Sequence, residues 1–250
     1  MQKTIIIIPC YNEENRFSKE LFNEFYLKSE ICFCFVNDGS KDNTLQMLNG
    51  LQHGRKERII VVDLKQNSGK AEAVRHGILQ SINWKQLDFI GYFDSDFATP
   101  LSEIPYLLNQ FDNNPNYQIV FGSRVKLMGR KIEREILRHY LGRIFSTTAS
   151  LMLKLPIYDT QCGAKYFRLQ LAQQIFSQPF ISRWLFDVEI FARIINLYGY
   201  EQAAAVMYEA PLNQWSEIGG SKLSFRHYLI APYELFRIKL RYLSELKVNI

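Results

Sequence analysis

Short apolar runs alternate with helical segments through the first half of the chain, and this order constrains the fold more than any other feature. The first run, residues 4–8, is almost entirely apolar and ends at Pro9. Such a run indicates a strand that is buried on both faces, as in a parallel sheet. Further runs lie at 31–36, 59–62, 87–93 and 117–121, with helical segments at 13–29, 42–52, 68–82 and 102–111. The pattern predicts an α/β fold with a mostly parallel central sheet flanked by helices.

Polar clusters follow most of the predicted strands. They lie at 9–13, 37–40, 94–96 and 122–124. In open α/β sheets, ligands bind in the crevice outside the carboxyl ends of the strands. The sequence therefore predicts one ligand cleft, built from these clusters, at that edge of the sheet.

The cluster Asp94-Ser95-Asp96 directly follows the aromatic run at 89–93. Two carboxylates at this spacing can bind one hard divalent cation through oxygen ligands. A Mg²⁺ ion held by one or two carboxylates usually takes its other ligands from substrate phosphates and water. The alternative is an ordinary acidic loop after a strand. The triplet favours a metal–diphosphate site.

Composition limits the classes of partner and compartment. The net charge of +5 permits nucleotides, lipid phosphates or a membrane surface as partners without requiring them. Nucleic acid is not expected, because the charge is modest and no dedicated binding module is visible. The four cysteines show no C-x-x-C spacing and no disulfide framework, so we expect no zinc site and a reducing compartment.

The second half has a different organisation. Residues 127–154 are predicted to form one helix with a basic side that includes Arg130 and Arg138. Residues 157–168 are polar and contain glycine, and helices are predicted at 169–177 and 184–198. A last amphipathic helix is predicted at 223–246.

No signal peptide is visible, and no segment approaches the roughly 18 apolar residues that a spanning helix needs. We expect a domain over 1–222 and a C-terminal amphipathic helical extension over 223–250. The extension either packs on that domain or contacts a membrane or partner. The sequence leaves the oligomeric state, including a homo-oligomer, open.

The acidic triplet is one of eight motifs that follow one another along the chain. They are Pro9-Cys10-Tyr11-Asn12-Glu13, Asn37-Asp38-Gly39-Ser40, Asn67-Ser68-Gly69-Lys70-Ala71, Asp94-Ser95-Asp96, Gly122-Ser123-Arg124, Asp159-Thr160-Gln161-Cys162-Gly163-Ala164-Lys165, Trp184-Leu185-Phe186-Asp187 and Gly219-Gly220-Ser221-Lys222. Over about residues 3–225, the chain resembles the family 2 glycosyltransferases of the GT-A fold, whose sheet is Rossmann-like. More narrowly, it is similar to the dolichyl-phosphate or polyprenyl-phosphate hexosyltransferases. The segments around Gln161 and Lys222 look most like the dolichyl-phosphate β-glucosyltransferase branch.

The resemblance implies a nucleotide-sugar donor, and Pro9, Tyr11, Glu13 and Asp38 would hold its base and ribose. The Asp38 carboxylate can accept hydrogen bonds from a uracil N–H or a ribose hydroxyl. The alternative is that Asp38-Gly39-Ser40 is only a tight turn.

The diphosphate of the donor would lie further along the same edge. Gly69 and Lys70 begin a helix, where backbone N–H groups favour anions. The resemblance implies that Asp94, Ser95 and Asp96 contact the diphosphate and that Asp94 and Asp96 hold Mg²⁺ or Mn²⁺.

Two departures from the family pattern bear on the donor. Many relatives have Asp-Asp-Gly-Ser where this chain has Asn37-Asp38-Gly39-Ser40, which removes one carboxylate from the nucleoside site. Mannosyl-transferring relatives carry an arginine a few residues before the Ser-Lys pair, where this chain has Trp215-Ser216-Glu217. The second departure favours a UDP-hexose, UDP-glucose in particular, over GDP-mannose.

The implied acceptor is a polyprenyl or dolichyl phosphate. Arg124, Arg138, Lys165 and Lys222 are the candidates for binding its phosphate, and an arginine fork suits this because it binds phosphate oxygens in pairs. Asp96, Arg124 and Asp159 are the candidate catalytic residues, with Asp159 expected to orient or deprotonate the acceptor or to structure its loop.

The implied reaction is a single displacement with inversion at the anomeric carbon. A phosphate monoester is already anionic near neutral pH, so it needs less help from a general base than a hydroxyl would. A lipid acceptor implies a peripheral enzyme at the cytoplasmic face of a membrane. The alternatives are a transferase that uses a glycan or other hydroxyl acceptor in cell-surface polysaccharide synthesis, and a non-catalytic nucleotide-sugar-binding protein.

Overall fold

The computed structural model describes residues 3–84, 86–133, 135–218 and 225–244, with the backbone alone at 136–139, 141 and 225–229. The strands are β1 Thr4–Cys10, β2 Cys32–Asp38, β3 Ile59–Leu64, β4 Phe89–Phe93, β5 Ile119–Ser123, β6 Lys131–Glu133, β7 Ala164–Arg168, β8 Met207–Pro211 and β9 Gln214–Ser216. The helices are α1 Lys19–Lys28, α2 Thr44–Gln52, α3 Lys70–Ser81, α4 Glu103–Asn113, α5 Ile136–Leu153, α6 Leu169–Ile175, α7 Phe186–Tyr198, α8 Tyr200–Val206 and α9 Phe225–Tyr242.

The described strands form a seven-stranded central sheet in the order β3-β2-β1-β4-β7-β5-β8. Its pairs are parallel except where β7 lies antiparallel between β4 and β5. The prediction of a mostly parallel α/β sheet flanked by helices is confirmed. Strands β6 and β9 form a separate parallel pair.

Alternation along β1 separates two apolar layers. Ile5 and Ile7 pack in a layer with residues of α3, α5, α7 and α9. Ile6 and Ile8 pack in the opposite layer with residues of α1, α2 and α4. Because both faces of β1 are covered, polar side chains gather at the ends of the strands rather than along them.

Two elements of the second half differ from the sequence-based expectation. The predicted helix at 127–154 begins only at Ile136, because residues 131–133 pair as β6 with β9 and Gly129 adopts a positive φ of 81°. The polar segment at 157–168 contains β7, which the sequence did not predict. Both differences arise from pairing with distant strands.

Helix α9 packs on the domain through Ala231, Leu235 and Ile238, which are buried in the layer shared with α7. The domain boundary expected at residue 222 lies in a segment outside the described residues. Among the described helices, none has the length and apolar character needed to cross a bilayer.

Candidate active site

A cleft of about 770 Å³ opens at the carboxyl edge of the central sheet. Its lining includes residues at the ends of β1, β2 and β4, at the start of α3 and directly after β5. It also includes residues of α5, α9 and β9 and residues at the start of α7. The lining includes Pro9, Tyr11, Glu13, Asp38, Gly69, Lys70, Asp94, Ser95, Asp96 and Arg124. The structure therefore brings together ten of the residues that the sequence singled out.

At the end formed by β1 and β2, Asp38 and the backbone of Glu13 join neighbouring segments. The Asp38 carboxylate accepts hydrogen bonds from the N–H groups of Ser68 (2.7 Å) and Gly69 (2.9 Å). The Glu13 N–H donates to Oγ1 of Thr44 at 2.8 Å, and Glu13 itself is buried. Asp38 thus joins the end of β2 to the start of α3. Each of its oxygens has a second lone pair, which is available in principle to a ligand hydroxyl or N–H.

The acidic pair lies at the end of β4. Burial, and next the neighbouring charge of Asp94, raise the pKa of Asp96. Arg16 is close to Asp96, with Nη2 3.4 Å from Oδ2, and the Ala98 N–H donates to Oδ1 at 3.1 Å. Two carboxylates whose charges disfavour one another form a site that a cation would stabilise.

The seat of Asp94 requires glycine at position 163. The Asp94 N–H donates to the Gly163 carbonyl at 3.1 Å. A Cβ placed on Gly163 would lie 1.9 Å from Oδ2 of Asp94. The Asp94 carboxylate therefore occupies the space that any other side chain at 163 would need.

Lys70 bridges the start of α3 and the acidic pair, with Nζ 2.5 Å from Oδ1 of Asp94. Burial acts to lower the pKa of Lys70, but the charges of Asp94 and Asp187 outweigh it and raise that pKa to about 12. Lys70 is therefore a fixed cation at the centre of the cleft.

Arg124 follows β5 and is held by Asp159. Its Nε and Nη2 donate to Oδ2 and Oδ1 of Asp159 at 2.7 and 2.8 Å. The same carboxylate accepts the N–H groups of Arg124 (3.1 Å) and Gln161 (3.2 Å). The Trp215 ring centroid lies 5.4 Å from Cζ of Arg124. Asp159 thus orients the guanidinium and is buried outside the lining of the cleft.

Lys165 lies beneath the cleft, which corrects its expected role in binding the acceptor phosphate. Its side chain is 0% exposed. Nζ donates to Oδ1 of Asp187 (2.5 Å), the Thr160 carbonyl (3.1 Å) and the Cys162 carbonyl (2.7 Å). Because an ammonium group has three donors, all three are used inside the protein.

The remaining predicted contacts cannot be placed. Arg138 lies in α5, but its side chain is outside the described residues, and so is all of Lys222. Their roles stay predictions.

Sequence reasoning missed several polar or aromatic residues that line the cleft, among them Arg16, Arg183, Asp187 and Trp215. Asp187 begins α7 and pairs with Lys165. Arg183 donates to Oδ1 of Asn67 at 3.2 Å, beside the start of α3. Asp187 and Trp215 lie within segments that the sequence had marked. Arg16 carried no signal beyond its place three residues after Glu13.

A family model described as glycosyl transferase family 2 matches residues 5–176. The dolichyl-phosphate β-glucosyltransferase of Dictyostelium discoideum is 32% identical over 95% of this chain and 74% of its own length. The human enzyme of that name is 33% identical over 96% of this chain and 75% of its own.

Among solved structures, glucosyl-3-phosphoglycerate synthase from Mycobacterium tuberculosis superposes with a TM-score of 0.68 at 14% identity. The match covers 99% of this chain and 82% of that one. That protein was crystallised with Mn²⁺, uridine diphosphate and glucosyl-3-phosphoglycerate. At this level of identity the likeness concerns the fold.

Proposed function

Because this chain belongs to glycosyl transferase family 2, we propose that it transfers glucose from UDP-glucose to a polyprenyl or dolichyl phosphate at a membrane surface. The names of the relatives at 32% and 33% identity support both the sugar and the lipid phosphate. The other arguments come from the chemistry of the cleft.

The observation that carries the proposal is the Arg124–Asp159 pair beside the acidic pair. Asp159 accepts two hydrogen bonds from the Arg124 guanidinium and two from backbone N–H groups. A carboxylate used in this way is a poor general base, since proton transfer would break the pair that holds Arg124. An acceptor that is already anionic needs a cation more than a base, and Arg124 supplies one.

Asp94 and Asp96 fit a divalent ion of the Mg²⁺ or Mn²⁺ type. Both candidate ligands are carboxylates. No group of three or more His, Cys, Asp or Glu side chains that could hold a metal occurs among the described residues, so the protein would supply only part of the coordination. Such ions complete their coordination with phosphate oxygens and water. When bound, the ion would neutralise the departing diphosphate. Lys70, which contacts Asp94, would add a second positive charge beside the diphosphate. The N–H groups at the start of α3 would also attract the anionic diphosphate.

The lipid would leave the cleft between α5 and α9. Phe145 of α5 and Ile230 of α9 both line the cleft. Outside it, α5 exposes Tyr140 and Ile144, and α9 exposes several apolar side chains of its own. A polyprenyl chain could therefore follow these apolar side chains from the phosphate toward the bilayer. The four cysteines are buried and form no disulfide, as we expect on the cytoplasmic side of a membrane.

A donor and acceptor screen tests the proposal. Purified protein with Mg²⁺ or Mn²⁺ is given radiolabelled UDP-glucose, UDP-N-acetylglucosamine or GDP-mannose, with and without polyprenyl phosphate. We expect label in the organic phase only with UDP-glucose and lipid phosphate, and no transfer by Asp96→Asn. Equal transfer to sugar alcohols would favour the hydroxyl-acceptor alternative and overturn the proposal.

A further inference from the structure

Glu209, in the edge strand β8, holds the loop that carries Asp159. Its Oε1 accepts the N–H of Asp159 at 2.7 Å, and its Oε2 accepts the N–H of Tyr158 at 2.8 Å. One carboxylate thus fixes two successive peptide groups. Glu209 does not line the cleft, and none of the sequence motifs includes it.

The same loop is fixed from a second side. Arg143 of α5 donates through Nη1 to the Tyr158 carbonyl at 2.6 Å, and its Cζ lies 3.6 Å from the centroid of the Tyr158 ring. Tyr158 is therefore held at its N–H, its carbonyl and its ring. The backbone of the next residue, Asp159, has little freedom to shift.

The position of Asp159 decides the position of Arg124. Its carboxylate binds the guanidinium through Nε and Nη2. No described hydrogen bond uses Nη1. Glu209 lies opposite Phe121 in the register between β8 and β5, and Arg124 follows β5 directly. Strand β8 therefore supports both Asp159 and Arg124. It holds the loop of Asp159 through the Glu209 side chain, and it holds the end of β5, next to Arg124, through strand pairing.

We infer that Glu209 is a positioning residue for the acceptor side of the reaction, acting on Arg124 through the backbone of Asp159. The inference rests on the proposed function, in which Arg124 binds the acceptor phosphate. Misplacing a binding group by a fraction of an ångström weakens the contact without removing it. Loss of the Glu209 contacts should therefore raise the KM for the lipid phosphate and leave the KM for the nucleotide-sugar donor unchanged.

An alternative is that Glu209 only stabilises the fold. Burial raises the pKa of Glu209, while its bonds from Tyr158 and Asp159 act to lower it. A buried carboxylate of this kind is costly unless its hydrogen bonds are made. A purely structural role predicts lower stability with no selective change in either KM.

The test compares the wild type with Glu209→Gln, whose amide keeps one acceptor oxygen and turns the other into a donor. With citronellyl phosphate as acceptor, we expect an acceptor KM about tenfold higher, the size expected for one weakened hydrogen bond to a charged group. The KM for UDP-glucose should change less than about twofold. Asp159→Asn directly disturbs the contact between Asp159 and the Arg124 guanidinium and should show the same selective rise in the acceptor KM. This variant replaces Glu209→Gln in the test if Glu209→Gln does not fold.

Asp88→Asn is the matched control, because the Asp88 carboxylate also accepts a backbone N–H, that of Lys3. Asp88 directly precedes β4 and therefore lies at the amino ends of the strands, away from the cleft at their carboxyl ends. This control should leave both KM values unchanged. Equal acceptor KM values for the wild type and both Glu209→Gln and Asp159→Asn would overturn the inference.

A second measurement separates the inference from the proposed function. The Nε–H resonance of Arg124 in ¹⁵N-labelled protein, assigned with Arg124→Lys, reports whether the guanidinium is held. We expect it to shift or broaden in Glu209→Gln and to stay in place in Asp88→Asn. If the wild type does not glucosylate lipid phosphate, the proposed function is wrong and this resonance decides alone whether Glu209 positions Arg124.

Discussion

Asp94 and Asp96 are held by different means although one residue separates them. Asp94 occupies the space left by the missing side chain of Gly163 and contacts Lys70. Asp96 lies beside Arg16 and accepts the N–H of Ala98. The spacing of the two carboxylates could be taken from the sequence. The seat of Asp94 could not, because Gly163 belongs to a distant segment.

Gly163→Ala should displace the Asp94 carboxylate and weaken metal binding. The added Cβ would lie 1.9 Å from Oδ2 of Asp94, far inside contact distance, so the carboxylate must move. We expect Mn²⁺ affinity, measured by electron paramagnetic resonance in the presence of UDP, to fall at least about tenfold, the loss of one misplaced ligand.

The matched control is Gly50→Ala, at a helix position with no atom within 4 Å of the added Cβ. It should keep the wild-type affinity and gain up to about 1 kcal/mol of stability. Wild-type Mn²⁺ binding by Gly163→Ala would show that Asp94 is not a ligand.

Lys165 illustrates a residue whose type suggested one role and whose surroundings give another. The family resemblance implied that it contacts the acceptor phosphate. Its place in β7 buries it between Asp187 and two carbonyls. The Tyr92 hydroxyl also donates to Asp187.

Lys165→Met should therefore destabilise the protein rather than only weaken acceptor binding. Removing one partner of a buried ion pair leaves an uncompensated charge on Asp187, at a cost of about 3–5 kcal/mol. Denaturant unfolding should show this loss, and the double variant Lys165→Met/Asp187→Asn should recover part of it. If Lys165→Met had wild-type stability and a raised acceptor KM, Lys165 would instead bind the acceptor phosphate.

At the scale of elements, the strands that alternate with helices were predictable and the later strands were not. The apolar runs of β1, β2, β4 and β5 carry their own signal, since both faces of these strands are buried. The apolar run of β3 was also recognisable, although this edge strand is only partly buried. Strand β7 lies within the polar segment at 157–168 and contains Lys165 and Arg168, so its pattern does not suggest a buried strand. It forms by pairing with β4 on one side and with β5 on the other. Pairing of this kind depends on distant segments.

Helix α9 has two apolar faces, whereas the sequence predicted an ordinary amphipathic helix. Ala231, Leu235 and Ile238 are buried on the domain. Tyr233, Phe236 and Leu240 are exposed on the opposite side, and exposed cations at Arg237, Lys239 and Arg241 flank them. An apolar strip with flanking cations fits the interface of an anionic bilayer.

Tyr233→Glu/Leu240→Glu should therefore bind anionic vesicles at least about tenfold more weakly, since two side chains that would bury apolar area are lost. Flotation with vesicles containing phosphatidylserine measures the effect. Leu27→Glu is the control, because Leu27 is exposed on α1, which packs on the other layer. Equal flotation of the wild type and the double variant would remove α9 from the membrane contact.

At the scale of the whole molecule, the cleft lies between the two halves of the sequence. The first half supplies the ends of β1, β2 and β4 and the start of α3, and the second half supplies α5, α7, β9 and α9. The residues proposed to bind the donor could be predicted, because they follow strands in chain order. Most of the surroundings of Arg124 could not, because Trp215 and Glu209 come from distant segments that meet only through the folded sheet.

A ligand bound in the cleft should therefore stabilise the folded molecule. UDP together with Mn²⁺ would bind the folded protein and not the unfolded chain, which stabilises by about 2.7 kcal/mol at a hundred times the dissociation constant. For a chain of this length, that corresponds to a rise in Tm of about 5–10 °C. Either component alone should give a smaller rise, because the diphosphate completes the coordination of the ion.

Differential scanning fluorimetry measures the shift, and excess EDTA should abolish the contribution of the metal. Asp96→Asn should lose most of the combined shift while its Tm without ligand stays near that of the wild type or rises, because burial and the charge of Asp94 disfavour the ionised Asp96. The same variant with a full UDP–Mn²⁺ shift would mean that the diphosphate and its ion bind away from β4. In that case Lys70 and the start of α3, rather than the acidic pair, would mark the donor site.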